Sequence, residues 1–385
     1  MGPLAGLRIV EFAGIGAAPM CAMMLADAGA EVLRIDRREP SGIGIPRPVR
    51  FDLLTRNRRS AIVDLKHPDG IACALDLVGQ ADALIEGFRP GTMERIGLGP
   101  DVCLARNPAL VYGRLTGWGQ TGPLAQSAGH DLNYVALSGA LHAIGRAGAP
   151  PTPPLNLVGD FAGGGMLLAF GIVSALLHAR ATGEGQVVDA AMAEGAALLM
   201  TSIYGMHGAG LHGGMRGTNL LDSGAPHYDV YECADGQWLS VAPIEAKFRT
   251  LLLEGLGLDD ASFPDLARHD DWPRARALLE KRFREKSRDE WCAIFAGSDA
   301  CVSPVLSMAE APGHPHYVAR GSFVTIDGVV QPAPAPRFGA TLAPPPVPPE
   351  APGASTIEAL SDWGLDRERL DELARMGAIG RPSTS

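Results

Sequence analysis

The stretch from Leu7 to Asp36 constrains the fold more than any other part of this chain. Leu7-Arg8-Ile9-Val10-Glu11-Phe12 reads as a strand and Gly14-Ile15-Gly16 as a tight turn. Pro19 to Ala28 follows as a helix closed by Gly29, and Glu31-Val32-Leu33-Arg34-Ile35-Asp36 as a second strand. Strand, glycine turn, helix, strand is the β-α-β unit of a doubly wound sheet. The pattern continues: 61–65, 83–85 and 110–115 read as strands with helices between them, and 185–191 as a last strand leading into a helix over about 192–210.

A glycine-rich connector, 212–224, marks a change of character. Tyr228–Cys233 and Gln237–Val241 flank Ala234-Asp235-Gly236, a hairpin signal, and helices over about 245–257 and 272–298 complete a smaller α+β unit. The proline-rich run 343–353 is an extended linker, and the helical pattern over 355–376 is expected to pack back on the first domain. The fold class expected is therefore α/β, a Rossmann-like doubly wound parallel sheet with a smaller α+β domain. The expected boundaries are 1–190 for the large domain, 191–224 for a helix and linker, 225–325 for the small domain and 326–385 for the return linker and C-terminal helix. At 385 residues the chain has room for both cores.

Charge narrows the partners. A formal net charge of −10 disfavours nonspecific nucleic-acid binding, which needs a concentrated basic surface. Local clusters such as Arg37-Arg38 and Arg56-Asn57-Arg58-Arg59 still allow a small phosphorylated ligand. Six cysteines are scattered without C-x-x-C spacing, so neither a disulfide nor a metal framework is expected, and reduced thiols fit a cytoplasmic setting. The N-terminal residues lack a signal-peptide pattern. The uncharged run 161–179 carries three consecutive glycines and no basic flank before it, and is expected as a buried helix rather than a membrane span.

Two motifs carry candidate chemistry. Gly129-His130-Asp131 and, about thirty residues later, Gly159-Asp160 are each followed by a small-residue-rich apolar segment, so each ionisable side chain is expected where a helix begins. Helix-start N–H groups can hold an enolate oxygen while nearby side chains move protons. A loop histidine and an ordinary N-cap aspartate account for the same local patterns. Burial should raise the Asp160 pKa while the helix end lowers it. Gly14-x-Gly16 with Asp36 imitates a dinucleotide fingerprint, but Pro19 occupies the third glycine position and Arg37 and Arg38 follow the aspartate. Arg37, Lys66, Arg89 and Arg95 near strand ends fit phosphate oxygens better. His207 with His212 and His314 with His316 lack a clear third ligand, so no metal site is expected.

Taken together, Gly14-Ile15-Gly16, Arg34-Ile35-Asp36-Arg37, Val63-Asp64-Leu65-Lys66, Gly87-Phe88-Arg89-Pro90-Gly91, Gly117-Trp118-Gly119-Gln120-Thr121-Gly122-Pro123, Gly129-His130-Asp131-Leu132-Asn133-Tyr134, Val158-Gly159-Asp160 and Gly185-Gln186-Val187-Val188-Asp189 resemble the class III CoA-transferase family. The similarity runs from about residue 3 to 370 and includes Arg216-Gly217-Thr218-Asn219 and Val241-Ala242-Pro243-Ile244-Glu245. Within the family the chain is similar to the branch that racemises 2-methylacyl-CoA thioesters.

The resemblance implies an interlocked homodimer whose active sites join the large domain of one subunit to the small domain of the other. It also implies no metal and no redox cofactor, with CoA carried as part of the substrate. Transferases of the family use an aspartate nucleophile, matched by Asp160, to form an acyl anhydride. They typically carry a second glycine-rich loop where this chain reads Ala242-Pro243-Ile244-Glu245-Ala246-Lys247-Phe248, and His130 looks like the racemase base instead. Both departures point toward racemisation. The catalytic residues expected are His130, Asp160 and Glu245, the last sharing the imidazole proton, with the N–H of Asp131 near the enolate oxygen. The CoA moiety is expected against Ile15, Arg37, Val63, Leu65, Lys66, Gly87, Phe88, Arg89, Met93, Arg95, Asp131 and Tyr134.

Overall fold

The computed structural model describes residues 2–39, 42–342 and 345–380. The chain divides into two compact units. The larger comprises Met1–Ser138, Leu155–Leu199 and Pro315–Ser385, and the smaller Gly139–Pro154 and Met200–His314. Residues 139–154 thus group with the smaller unit and 191–199 and 315–325 with the larger, at variance with the boundaries read from the sequence. The expected linker 343–353 is described from residue 345 onward, and Ala343 and Pro344 lie outside the described residues.

In the larger unit, strands β1 (Arg8–Phe12), β2 (Glu31–Asp36), β3 (Arg59–Val63), β4 (Ala83–Glu86), β5 (Val111–Thr116) and β6 (Gln186–Ala191) form a parallel sheet in the order 3-2-1-4-5-6. A short terminal strand, Ile379–Gly380, adds antiparallel to β3. Alternate residues of each strand feed two cores, as the two-residue period of a strand requires. Val10, Phe12, Leu33, Ile35 and Leu84 meet the helix Pro68–Val78 and Ala359, Leu360, Trp363, Leu370 and Leu373 of the C-terminal segment. Ile9, Val32, Ala83, Ile85, Val111 and Leu115 meet helix Ala17–Asp27 and helix Leu167–Thr182. Both faces are therefore dry, which is why these strands read as nearly continuous apolar runs.

The C-terminal helical pattern packs back on the sheet as expected, but in two helices, Thr356–Asp362 and Arg367–Arg375, because Gly364 between them adopts φ +91°. The apolar run 161–179 is also helical and packed on the sheet. It begins earlier than expected, with π-helical turns over Leu157–Met166 before the regular helix to Thr182. The glycine triplet explains its path. A Cβ on Gly163, Gly164 or Gly165 would stand 2.7–2.8 Å from Ala196 N, Met192 Cγ or Ala17 O, so only glycine lets this segment settle between its neighbours.

The smaller unit carries a three-stranded antiparallel sheet of β7 (Asp229–Glu232), β8 (Trp238–Val241) and β9 (Val302–Pro304). Tyr231, Leu239 and Val241 share its core with Leu252, Leu256, Leu279, Phe283, Trp291 and Phe295. The single helix expected over 272–298 is two, Trp272–Phe283 and Arg288–Phe295. Ser287 restarts the second through a capping box: its N–H donates to Glu290 Oε2 at 2.8 Å, and its Oγ accepts the Glu290 N–H at 3.3 Å. The helix expected over 192–210 likewise breaks at Met200, into Met192–Leu199 and Thr201–Gly208.

Candidate active site at the switch point of the sheet

The strand order reverses between β1 and β4, and ligands of doubly wound sheets bind at such a switch point, outside the carboxyl ends of the strands. The Gly14-Ile15-Gly16 turn leaves β1 there. Gly16 is the N-cap of helix Ala17–Asp27 with φ +68°, a region costly for any side chain, and a Cβ on it would stand 3.2 Å from Asp160 Oδ2. The Asp160 carboxylate therefore lies at the crevice, beside the start of that helix.

Asp160 is not a helix cap. Asn156 holds that position, and Asp160 sits inside the first turn, where Asn156 Nδ2 donates to its Oδ2 at 3.2 Å. Burial pushes the Asp160 carboxyl above the usual aspartate range. The Asn156 bond opposes the shift, the Asp131 carboxylate adds to it and His130 opposes it. Burial outweighs the opposing contributions, so this carboxylate is a stronger base than a solvated one.

His130 caps helix Asp131–Leu137, as its motif predicts, and its own N–H donates to Asn133 Oδ1 at 3.0 Å. Its side chain belongs to an exposed residue. The helix ends at Leu137, and Gly139 then turns the chain with φ +84°. Asp131 links the two motifs: its Oδ1 accepts the N–H groups of Gly159 and Asp160 at 2.8 and 2.7 Å. On the other side, the Tyr134 hydroxyl donates to the Gly129 carbonyl, and its ring meets Trp118 edge to face with centroids 4.8 Å apart. Burial, reinforced by the Asp160 and Asp131 carboxylates, pushes the Tyr134 phenol up to about 12.

Of the residues expected at CoA, Arg37, Val63, Leu65, Lys66 and Phe88 line one cavity of about 490 Å³ at the ends of β1, β2 and β3. The Arg37 guanidinium lies over the Phe88 ring, 5.6 Å from its centroid. Ile15, Gly87 and Arg89 are exposed outside that lining, and Arg95 donates to Thr92 Oγ1 at 3.0 Å. Met93 requires correction: it is 0% exposed inside the sheet core, so its side chain packs and cannot face a ligand. The Asp131 carboxylate and the Tyr134 hydroxyl are turned to the protein in the bonds just described.

Three basic candidates are likewise engaged. Arg56 forks onto Asp27, Arg58 pairs with Glu11, and Arg59 pairs with Glu31 and Asp362. Arg38 donates to the carbonyls of Gly377 and Ile379. Asp36 Oδ2 accepts from Arg34 Nε and Ser60 Oγ at 2.6 and 2.5 Å, so one oxygen of the carboxylate is turned to the protein. Glu245 belongs to the smaller unit, where it is exposed at the N-cap of helix Ala246–Leu256. Among the described residues no group of three or more His, Cys, Asp or Glu side chains is arranged to hold a metal ion. Local sequence signals Asn156 only by its spacing of four residues before Asp160, so a pattern search for ionisable groups does not find it.

Comparison with known proteins places the chain in a family. The profile of CoA-transferase family III matches residues 4–354. The alpha-methylacyl-CoA racemase of Mus musculus is 43% identical over 373 residues, and that of Homo sapiens 44% over 374, each alignment covering 96% of both chains. A crystal structure of a CAIB/BAIF family protein from Brucella suis superposes with a TM-score of 0.81 at 24% identity, covering 94% of this chain and 99% of that one. The chain belongs to CoA-transferase family III.

Proposed function

We propose that this chain is an isomerase that interconverts (R)- and (S)-2-methylacyl-CoA thioesters by exchange of the α-proton. The observation that carries the reading is the clamp that brings the His130 and Asp160 motifs together at the switch point. Its identity to racemases of the family supports the same conclusion. Inverting a stereocentre needs one group on each face of the carbon. His130 takes the α-proton from one epimer while protonated Asp160 delivers a proton to the opposite face, and the roles reverse in the other direction. A carboxyl whose pKa burial raises suits this two-way duty, because the group must serve as both acid and base.

The electron pair left by the proton moves onto the thioester oxygen. Asp131 is the first residue of its helix, and its N–H has no intrahelical acceptor, so it can receive that oxygen. The adenine nucleotide end of CoA is assigned to the cavity with Arg37 and Lys66. Glu245 is assigned, from a second copy of the chain in an interlocked homodimer, to share the imidazole proton. CoA enters only as part of the substrate; that substrate class fits a role in lipid and fatty-acid metabolism, and the scattered thiols fit a cytoplasmic setting.

The test is proton NMR in deuterium oxide with a 2-methylacyl-CoA and no acceptor acid. Deuterium should enter the α-position of both epimers. His130→Ala should slow it by about 10²- to 10⁴-fold. Absent exchange, with label passing from a free carboxylic acid into the thioester, would replace this reading by acyl transfer through an Asp160 anhydride.

A further inference from the structure

The Asp131 side chain has a task of its own. It is 7% exposed, and its Oδ1 is filled by the two backbone N–H bonds from Gly159 and Asp160. Its Oδ2 is buried without a hydrogen-bond partner among the described residues, so the carboxylate points into the protein. Position 159 is shaped for this contact: a Cβ there would stand 2.6 Å from Asp131 Oδ1 and 3.2 Å from Val135 Cγ2. The glycine before the second base is therefore what lets the clamp close.

We infer that Asp131 is a positioning residue for racemisation, its side chain holding the backbone of Asp160 at a fixed place relative to His130. The inference rests on the racemase reading above. His130 and Asp131 are adjacent in the chain, as are Gly159 and Asp160, so two bonds from one carboxylate join the two bases through very short stretches of backbone. Proton exchange across one carbon is sensitive to such spacing, since a misplacement of about 1 Å can cost about 10²-fold in rate. The same residue then serves twice: its N–H faces the thioester oxygen, and its carboxylate fixes the group that protonates the opposite face. Oxygen acceptor and second base move as one body.

Three variants test it: Asp131→Asn, Asp131→Ala and Gly159→Ala. Each is assayed for α-deuterium exchange from each epimer, with kcat and KM separated and thermal unfolding recorded. Asn keeps an oxygen that can accept both N–H bonds but loses the charge beside Asp160, so Asp131→Asn should recover much of what Asp131→Ala loses, with kcat at least about tenfold above the Ala variant. Asp131→Ala should lower kcat by about 10²-fold in both directions, with KM within about threefold. Gly159→Ala should reproduce that loss, and it supplies the measurement if Asp131→Ala fails to unfold cooperatively. Full kcat in folded Asp131→Ala overturns the inference, as does an Asn variant as slow as the Ala variant, because the charge rather than the clamp would then be required. Failure of the parent reading shows separately, as missing exchange in the unmodified enzyme.

Discussion

Glu11 and Asp160 are both carboxylates whose pKa burial raises, and they sit in opposite electrostatic company. Glu11, on β1, is 0% exposed and meets Arg58 at 2.7 Å, an arginine whose side chain is equally buried, with Arg34 close enough to lower its pKa further. Asp160 has one neutral amide as its side-chain donor and the Asp131 carboxylate as its neighbour. The first carboxylate is locked by its cations and ties β1 to Arg58, the residue just before β3. The second has no cation locked onto it, which suits the proton exchange proposed for it. Burial alone does not distinguish a structural carboxylate from a reactive one. Its partner does.

Asp160→Asn should separate the two most sharply: α-proton exchange falls by about 10³-fold while the fold persists, measured by deuterium incorporation and circular dichroism. Glu11→Gln should do the reverse. It leaves Arg58 buried without its counter-charge and should cost about 3–5 kcal/mol in urea unfolding, while kcat per folded molecule stays within a few-fold. Comparable activity losses from both variants would erase the contrast.

Gly16→Ala probes the setting of Asp160 directly. A side chain at φ +68° costs about 1–3 kcal/mol, and its Cβ crowds the carboxylate, so stability and exchange should fall together. Tyr134→Phe removes the hydroxyl that holds the Gly129 carbonyl and should lower kcat by a smaller amount, roughly three- to tenfold, in the same assay.

The smallest effect is thermodynamic. Because folding raises the Asp160 pKa, the native state binds more protons than the unfolded chain between the ordinary aspartate value and the raised one, so stability falls as pH rises through that window. Asp160→Asn removes this penalty and should be slightly more stable than the parent at neutral pH, by less than about 1 kcal/mol for a group only partly shielded from solvent. The advantage should vanish at pH values below the ordinary aspartate range, where both states are protonated. Melting temperatures across pH will show a parent that closes on the variant as acid is added, and parallel curves would contradict the raised pKa.

The sheet was legible because β1 to β5 are buried, largely apolar runs broken by turn and cap residues, a pattern that local sequence carries. Breaks within helical stretches were not. Ser287 and Glu290 spell a capping box, and Gly364 a stop, but the apolar spacing on either side continues through both. The π turns around Asp160 come from packing against residues 17–20 and 192–196, which no local window contains. His130 was readable as a cap from its neighbours. The direction of the Asp131 carboxylate and the burial of Met93 were not, since each depends on elements distant in sequence.

The triplet Gly163-Gly164-Gly165 has a wider consequence. Wedged against neighbouring backbone, it works like the seat of a tool holder: the segment bearing Asp160 cannot slide or roll without collision. Catalytic repertoire on this scaffold can therefore change most readily at side-chain tips and in loops of the crevice, while the platform beneath stays put. Redesign that inserts residues or bulk at 163–165 should fail before chemistry is ever tested.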